Sequence, residues 1–228
     1  MSIDHLFVIW GAPSDGGRHV VGHLSRGGSA AFKFWYEPDL SAAKARGFTL
    51  LPAFPEHRSE RDPFEARYLF ATFAGRIPSP HRSDAAQMLV TWGVEHPDDQ
   101  FEILAKSGGL RATDRIEVAE YRADDDLLVE PLEFRVAGVK YVPLESRAEL
   151  TIGAQLRFER EPLNQHDPHA TILATTNHGR RAGYVPRQYS RMVSRLLDAG
   201  IELDAVAIRE LVIPDDAGRW VVRASRAR

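Results

Sequence analysis

Residues 160–170 read REPLNQHDPHA, and residues 179–187 read GRRAGYVPR. The first run packs Pro162, Asn164, Asp167 and Pro168 into a few positions, the composition of a turn closed by side-chain hydrogen bonds to the backbone. The second is a short strand that runs into Pro186, a residue suited to the first turn of a helix. That helix reads PRQYSRMVSRLLDA over 186–199 and stops before Gly200. Its Met192, Val193, Leu196 and Leu197 form one face, while Arg187, Arg191 and Arg195 recur every four residues on another. Working outward, FRVAGV (134–139), ELTIGAQLRFE (149–159), ATILATT (170–176), RAGYV (181–185), ELDAVAIREL (202–211) and RWVVRAS (219–225) read as strands. The second half is therefore β-rich with one clear helix.

The first half opens with three β-like runs at 5–10, 19–24 and 31–36, separated by SDGGR and SRGGS. Those glycines and serines suit hairpin turns and predict an antiparallel meander. Farther on, Phe64, Tyr68, Leu69 and Phe73 recur at helical spacing, as do Met88, Leu89 and Trp92. The run PDDQFEILAKSGG (97–109) has acids at its start, a lysine near its end and Gly108 beyond, the marks of a short helix. RIEVAEY (115–121) alternates as a final strand. Three consecutive aspartates in ADDDLLVEP (123–131) repel one another and favour solvent, which marks a linker. The expected layout is a domain over 1–122, an acidic linker over 123–131 and a domain over 132–228.

The chain has 228 residues and a net charge of −3, with no cysteine. The balance is uneven: residues 1–131 hold 14 basic and 20 acidic side chains, net −6, and residues 132–228 hold 15 and 12, net +3. The missing thiol excludes disulfides, cysteine nucleophiles and thiolate metal sites, and fits a cytoplasmic setting. No phosphate loop, nucleophile elbow, zinc-protease helix or calcium loop is present. His166 and His169 stand three apart, but Pro168 breaks any shared helical ligand face, so no metal is expected. No other cofactor and no membrane span is expected either. Binding is the stronger class of function, and enzymatic activity the weaker.

FRVAGVKYVPL (134–144), the frame Arg160, Pro162, Asn164, Asp167 and Ala170, and GYVPR running into a helix occur in order. This trio resembles the HIRAN domain, over residues 132 to about 224. The resemblance implies a small OB-like β-barrel with a helix, carrying a pocket for the 3′ end of single-stranded DNA. Tyr141 is suited to stack a base, Lys140 and Arg187 to meet phosphates, and Asp167 to accept from a base amine or a terminal sugar hydroxyl. Arg191 extends the charge along the helix. Each has a structural alternative: Tyr141 as a core aromatic, Asp167 and Asn164 as closers of a proline-flanked turn, the arginines as an ordinary solvated face. The sequence departs from the family pattern at His166, where an aromatic usually precedes the aspartate, and at Pro186, where a basic residue often begins the helix. Histidine still stacks, with a smaller ring that titrates near pH 6.5.

Residues 5–121 resemble the N-terminal subdomain of HipA-type toxin kinases, through VVGHL (20–24), FKFWYEPDL (32–40), LLPAFP (50–55), RYLFATFAGRIPSPHR (67–82) and DQFEILAKSGG (99–109). No kinase active-site residue carries over. The likeness implies a surface that docks a protein partner, a kinase-like or DNA-processing protein. The expected fold is α+β: an N-terminal antiparallel sheet with short helices, then the OB-like barrel. The expected function is non-enzymatic single-stranded DNA binding. The alternative is an antitoxin-like regulator that binds a separate HipA-type kinase core.

Overall fold

The computed structural model describes residues 3–14, 16–27, 32–147, 149–211 and 220–227. The chain divides into two compact units, Met1–Tyr121 and Arg122–Arg228.

In the first unit β1 (His5–Gly11), β2 (Arg18–Arg26), β3 (Phe32–Tyr36), β4 (Phe64–Ala66) and β5 (Ile116–Glu120) make one antiparallel sheet in the order β4-β3-β2-β1-β5. Alternation along the strands sends Leu6, Val8, Leu24, Phe34 and Tyr36 into one core with Phe54, Phe73, Phe101 and Leu104. Four helices accompany the sheet: α1 (Ser41–Lys44), α2 (Ala71–Ala74), α3 (Ala85–Trp92) and α4 (Gln100–Ser107). Helix α4 forms where its end signals predict it. The Asp99 carboxylate accepts from the Phe101 and Glu102 amides, and Gly108 closes the helix at φ 73°. The proline-bearing segment after α1 is tied down by the buried Tyr36 hydroxyl, which donates to Phe54 O and accepts from Leu51 N, both at 2.8 Å. Burial pushes that phenol up to about 12.

The helix expected through Phe64, Tyr68, Leu69 and Phe73 does not form. Phe64 lies in β4, Phe73 in α2, and Tyr68 is exposed between them. The helical spacing arises because a strand, a turn and a single helical turn each send an apolar ring to the same core. Phe54 meets both Phe64 and Phe73, with ring centroids at 5.1 and 6.1 Å.

The second unit holds β6 (Leu132–Arg135), a 3-10 turn (Val139–Tyr141), α5 (Leu144–Arg147), β7 (Gln155–Arg160), β8 (Thr171–Thr175), β9 (Arg181–Tyr184), α6 (Arg187–Asp198), β10 (Leu203–Glu210) and β11 (Trp220–Arg226). Its sheet is antiparallel in the order β6-β11-β10-β7-β8-β9. Past the end of β6, Ala137 pairs with Tyr184 of β9 through N–H···O bonds of 2.9 and 2.8 Å. This pair brings the two edges of the sheet together and curls it into a half-barrel, consistent with the OB-like expectation. Gly183 makes the closure possible: at φ +151°, a Cβ there would lie 2.4 Å from Val136 Cγ1 and 2.6 Å from Ala137 O. Two expected strands are shorter than their sequence patterns. The run 134–139 stays in β6 only to Arg135 and enters the 3-10 turn at Val139, and 149–159 becomes strand only from Gln155. Helix α6 buries Tyr189, Met192, Val193 and Leu196. Among the described residues no helix is long and apolar enough to cross a membrane.

Candidate nucleic-acid interface

The REPLNQHDPHA loop joins β7 to β8, and Arg160, Asn164, Asp167 and His169 in it each close a definite bond. Asn164 Oδ1 accepts from the His166 and Asp167 amides at 2.9 and 3.1 Å, and its Nδ2 donates to Glu161 Oε2 at 2.6 Å. Arg160 donates to Ala170 O at 3.0 Å and to Asp198 Oδ1, at the far end of α6, at 2.9 Å. Ala170 is buried beneath the loop. The structural alternative thus holds for Asn164, which folds the loop, while Arg160 anchors the loop to α6.

Asp167 both anchors the loop and joins it to the start of α6. Its Oδ1 accepts from the His169 amide at 2.8 Å, and its Oδ2 lies 2.8 Å from Ser190 Oγ. That hydroxyl is also 2.9 Å from Arg187 O, so one proton is shared between the loop carboxylate and the first turn of the helix. With two lone pairs on each oxygen, the Asp167 carboxylate retains acceptor capacity beyond these bonds. His169 adds a second tie, Nδ1 to Ser194 Oγ at 3.1 Å. His166, in contrast, is exposed. Among the described residues no group of three or more histidine and carboxylate side chains is placed to hold a metal.

Arg187 is exposed at the first residue of α6, and no side chain caps that helix terminus. Guanidinium and helix N-terminus both favour an anion. Arg191, one turn on, is exposed and forms an ion pair with Asp124 at 3.0 Å. Tyr141 closes the 3-10 turn and is 74% exposed, which rules out the core-aromatic alternative. Lys140 lies on the same turn, but its side chain is outside the described residues.

Tyr184, within GYVPR, links these groups. Its backbone pairs with Ala137, and its ring is 3.2 Å from where a Cβ on Gly138 would lie, which places it at the base of the Tyr141 turn. Its hydroxyl donates to Glu161 Oε2 at 2.9 Å, which ties it to the Asn164 loop. Three residues later the chain enters α6 at Arg187. The turn with Lys140 and Tyr141, the loop with His166 and Asp167, and the start of α6 with Arg187 therefore surround one end of β9. Glu161 is held below the ordinary carboxyl range by the Asn164 amide, with the Tyr184 hydroxyl and Arg181 adding to the effect against some desolvation. Burial, and then the bond to Glu161, raise the Tyr184 phenol. At neutral pH the hydroxyl is thus a donor to a carboxylate. Arg181 lies over the Tyr184 ring, 5.1 Å from its centroid. The Glu161–Tyr184 bond and the Ala137–Tyr184 pair leave no local signal because they join distant parts of the chain.

An exposed aromatic, an exposed arginine at a helix start and an anchored carboxylate, set on a curled antiparallel sheet, have the makings of a small β-module for nucleic-acid binding. Residues 129–212 match the family model of the HIRAN domain. Three solved structures are similar to parts of this chain. The crystal structure of the HIRAN domain of human HLTF is 16% identical and covers 43% of this chain and 76% of that one, with a TM-score of 0.36. A crystal structure of a protein from Lactobacillus plantarum is 22% identical over 42% of this chain and 95% of that one, TM-score 0.35. The NMR structure of the HLTF HIRAN domain in its DNA-bound conformation is 17% identical over 45% and 78%, TM-score 0.33. No curated protein matches the chain.

Proposed function

We propose that the second unit binds the 3′ end of single-stranded DNA at the end of β9. The observation that carries the reading is the HIRAN match over 129–212, whose motif residues Asn164 and Asp167 are tied to Tyr184 and to the first turn of α6. Tyr141 supplies a stacking face, a contact that contributes about 1–3 kcal/mol per base. Arg187 and the start of α6 take a phosphate, with Lys140 as a second cation. Asp167 accepts from the terminal hydroxyl or a base amine, and His166 stands beside it as a smaller stacking ring. Arg191 lies one turn farther along the backbone path. Binding requires no covalent chemistry, so the protein acts as a non-enzymatic module, in keeping with a cytoplasmic role near DNA ends.

The test is a titration of the full chain with a fluorescent single-stranded oligonucleotide at low salt, comparing wild type with Tyr141→Ala and Arg187→Ala. Each variant is expected to weaken binding about tenfold or more while leaving the thermal transition in place, since both side chains are exposed. Unchanged affinity in both would overturn the site. The docking of a protein partner by the first unit, and the antitoxin-like alternative, are supported by the HipA-like patterns of residues 5–121 alone. Copurification of a kinase-like protein is the measurement that bears on them.

A further inference from the structure

We infer that the arginine stripe of α6 is a track for the phosphates of a single strand, and that Asp124 is an internal counter-charge which the strand must displace. The inference rests on the DNA-binding reading above. Arg187, Arg191 and Arg195 are all exposed. At four-residue spacing they rise about 6 Å from one to the next along a single stripe. The stripe starts at the helix terminus beside Asp167, so a strand whose end sits there and whose backbone continues along α6 meets Arg191 next.

Arg191 Nη1 is already 3.0 Å from Asp124 Oδ2, with 62% and 46% of the two side chains exposed. Both residues belong to the second unit. The three aspartates of this segment are not equivalent. Asp126 is committed to local structure, its Oδ1 accepting from Leu128 N at 2.6 Å and its Oδ2 from Arg122 at 3.3 Å. Asp125 is exposed. Asp124 places a carboxylate on the middle arginine of the stripe, where it stands in for a phosphate oxygen. An exposed pair of this kind is easily exchanged, because its net worth is only a small multiple in the equilibrium. The pair therefore discriminates: a strand with several phosphates displaces Asp124, and a short anion that reaches only Arg187 leaves it in place.

The test titrates the full chain with two single-stranded oligonucleotides, a dinucleotide whose single phosphodiester reaches only Arg187, and one of about twelve nucleotides. Asp124→Asn is expected to tighten binding of the longer strand about two- to fivefold at low salt and to leave the shorter one unchanged. Asp125→Asn is expected to change neither, and Asp124→Asn introduced into Arg191→Ala is expected to have no effect. If wild type binds but Asp124→Asn leaves the longer strand unaffected, or if Asp124→Asn and Asp125→Asn act equally, the counter-charge role of Asp124 falls and the DNA-binding reading stands. If neither wild type nor any variant binds either oligonucleotide, both fall.

Discussion

Asp167 has two duties, and a pair of substitutions separates them. Its Oδ1 closes the turn on the His169 amide, and its Oδ2 meets Ser190 of α6. Asp167→Ala removes both bonds and is expected to cost about 1–3 kcal/mol of stability, read as a lowered denaturant midpoint. Asp167→Asn keeps an acceptor for the His169 amide and is expected to cost less than half of that, while still losing DNA affinity because the negative acceptor is gone. Gly183 sets a different limit. Alanine there meets Val136 and Ala137 O well inside normal separation, at a φ that side chains avoid. The expected loss is about 2 kcal/mol or more, with the seam between β6 and β9 opening first in hydrogen exchange at Ala137 and Tyr184. In the sequence, Asn164 and Asp167 were legible as turn formers because their backbone partners lie two or three residues away. The Ser190 partner, the Glu161–Tyr184 bond and the Ala137–Tyr184 pair are products of the fold and leave no local pattern.

At the level of elements, α4 and α6 were readable because both carry their own end signals and one apolar face. Short elements were not. Phe64 to Phe73 mimic a helix since Phe64, Leu69, Phe70 and Phe73 all pack on one core while Tyr68 stays exposed, and only the tertiary arrangement decides that β4, a turn and α2 share the work. The loop between α4 and β5 depends on a buried cation that sequence spacing does not reveal. Arg76, with its side chain 2% exposed, donates to Gly109 O, Ile116 O and Thr72 O and pairs with Asp114 at 2.7 Å. Replacing it with methionine keeps the apolar stem but leaves those carbonyls and Asp114 without their donor. Arg76→Met is expected to destabilise the protein by about 2–3 kcal/mol in chemical denaturation. DNA binding by the folded fraction is expected to be unchanged, as Arg76 and its partners all lie in the first unit.

For the whole molecule, charge separates into an acidic first half and a basic second half, and pH acts on the first through His5. Its Nε2 is 3.0 Å from His23 Nδ1, and the other nitrogen of His23 is 2.8 Å from Glu37. Burial, reinforced by His23, lowers His5 from 6.5 to about 4. Between these values the unfolded chain binds a proton at His5 that the folded chain refuses. Stability therefore falls as the pH drops through that window and is fully present above it. Thermal midpoints are expected to decline from pH 7 toward pH 4.5, with a shallower decline in His5→Gln. DNA binding carries its own signature of charge. With two or three cations meeting phosphates, log K against log salt is expected to slope at about −1.4 to −2.1.

The most direct test of the central claim is a low-salt titration of the full chain with one single-stranded oligonucleotide in two forms, with a free 3′ hydroxyl and with a 3′ phosphate. The account predicts saturable binding of the free end, weakened by salt with the slope above, and clearly weaker binding of the blocked end that Asp167 is placed to read. No binding of either form at low salt would contradict a single-strand site at the end of β9, and equal binding of the two would contradict its recognition of the end.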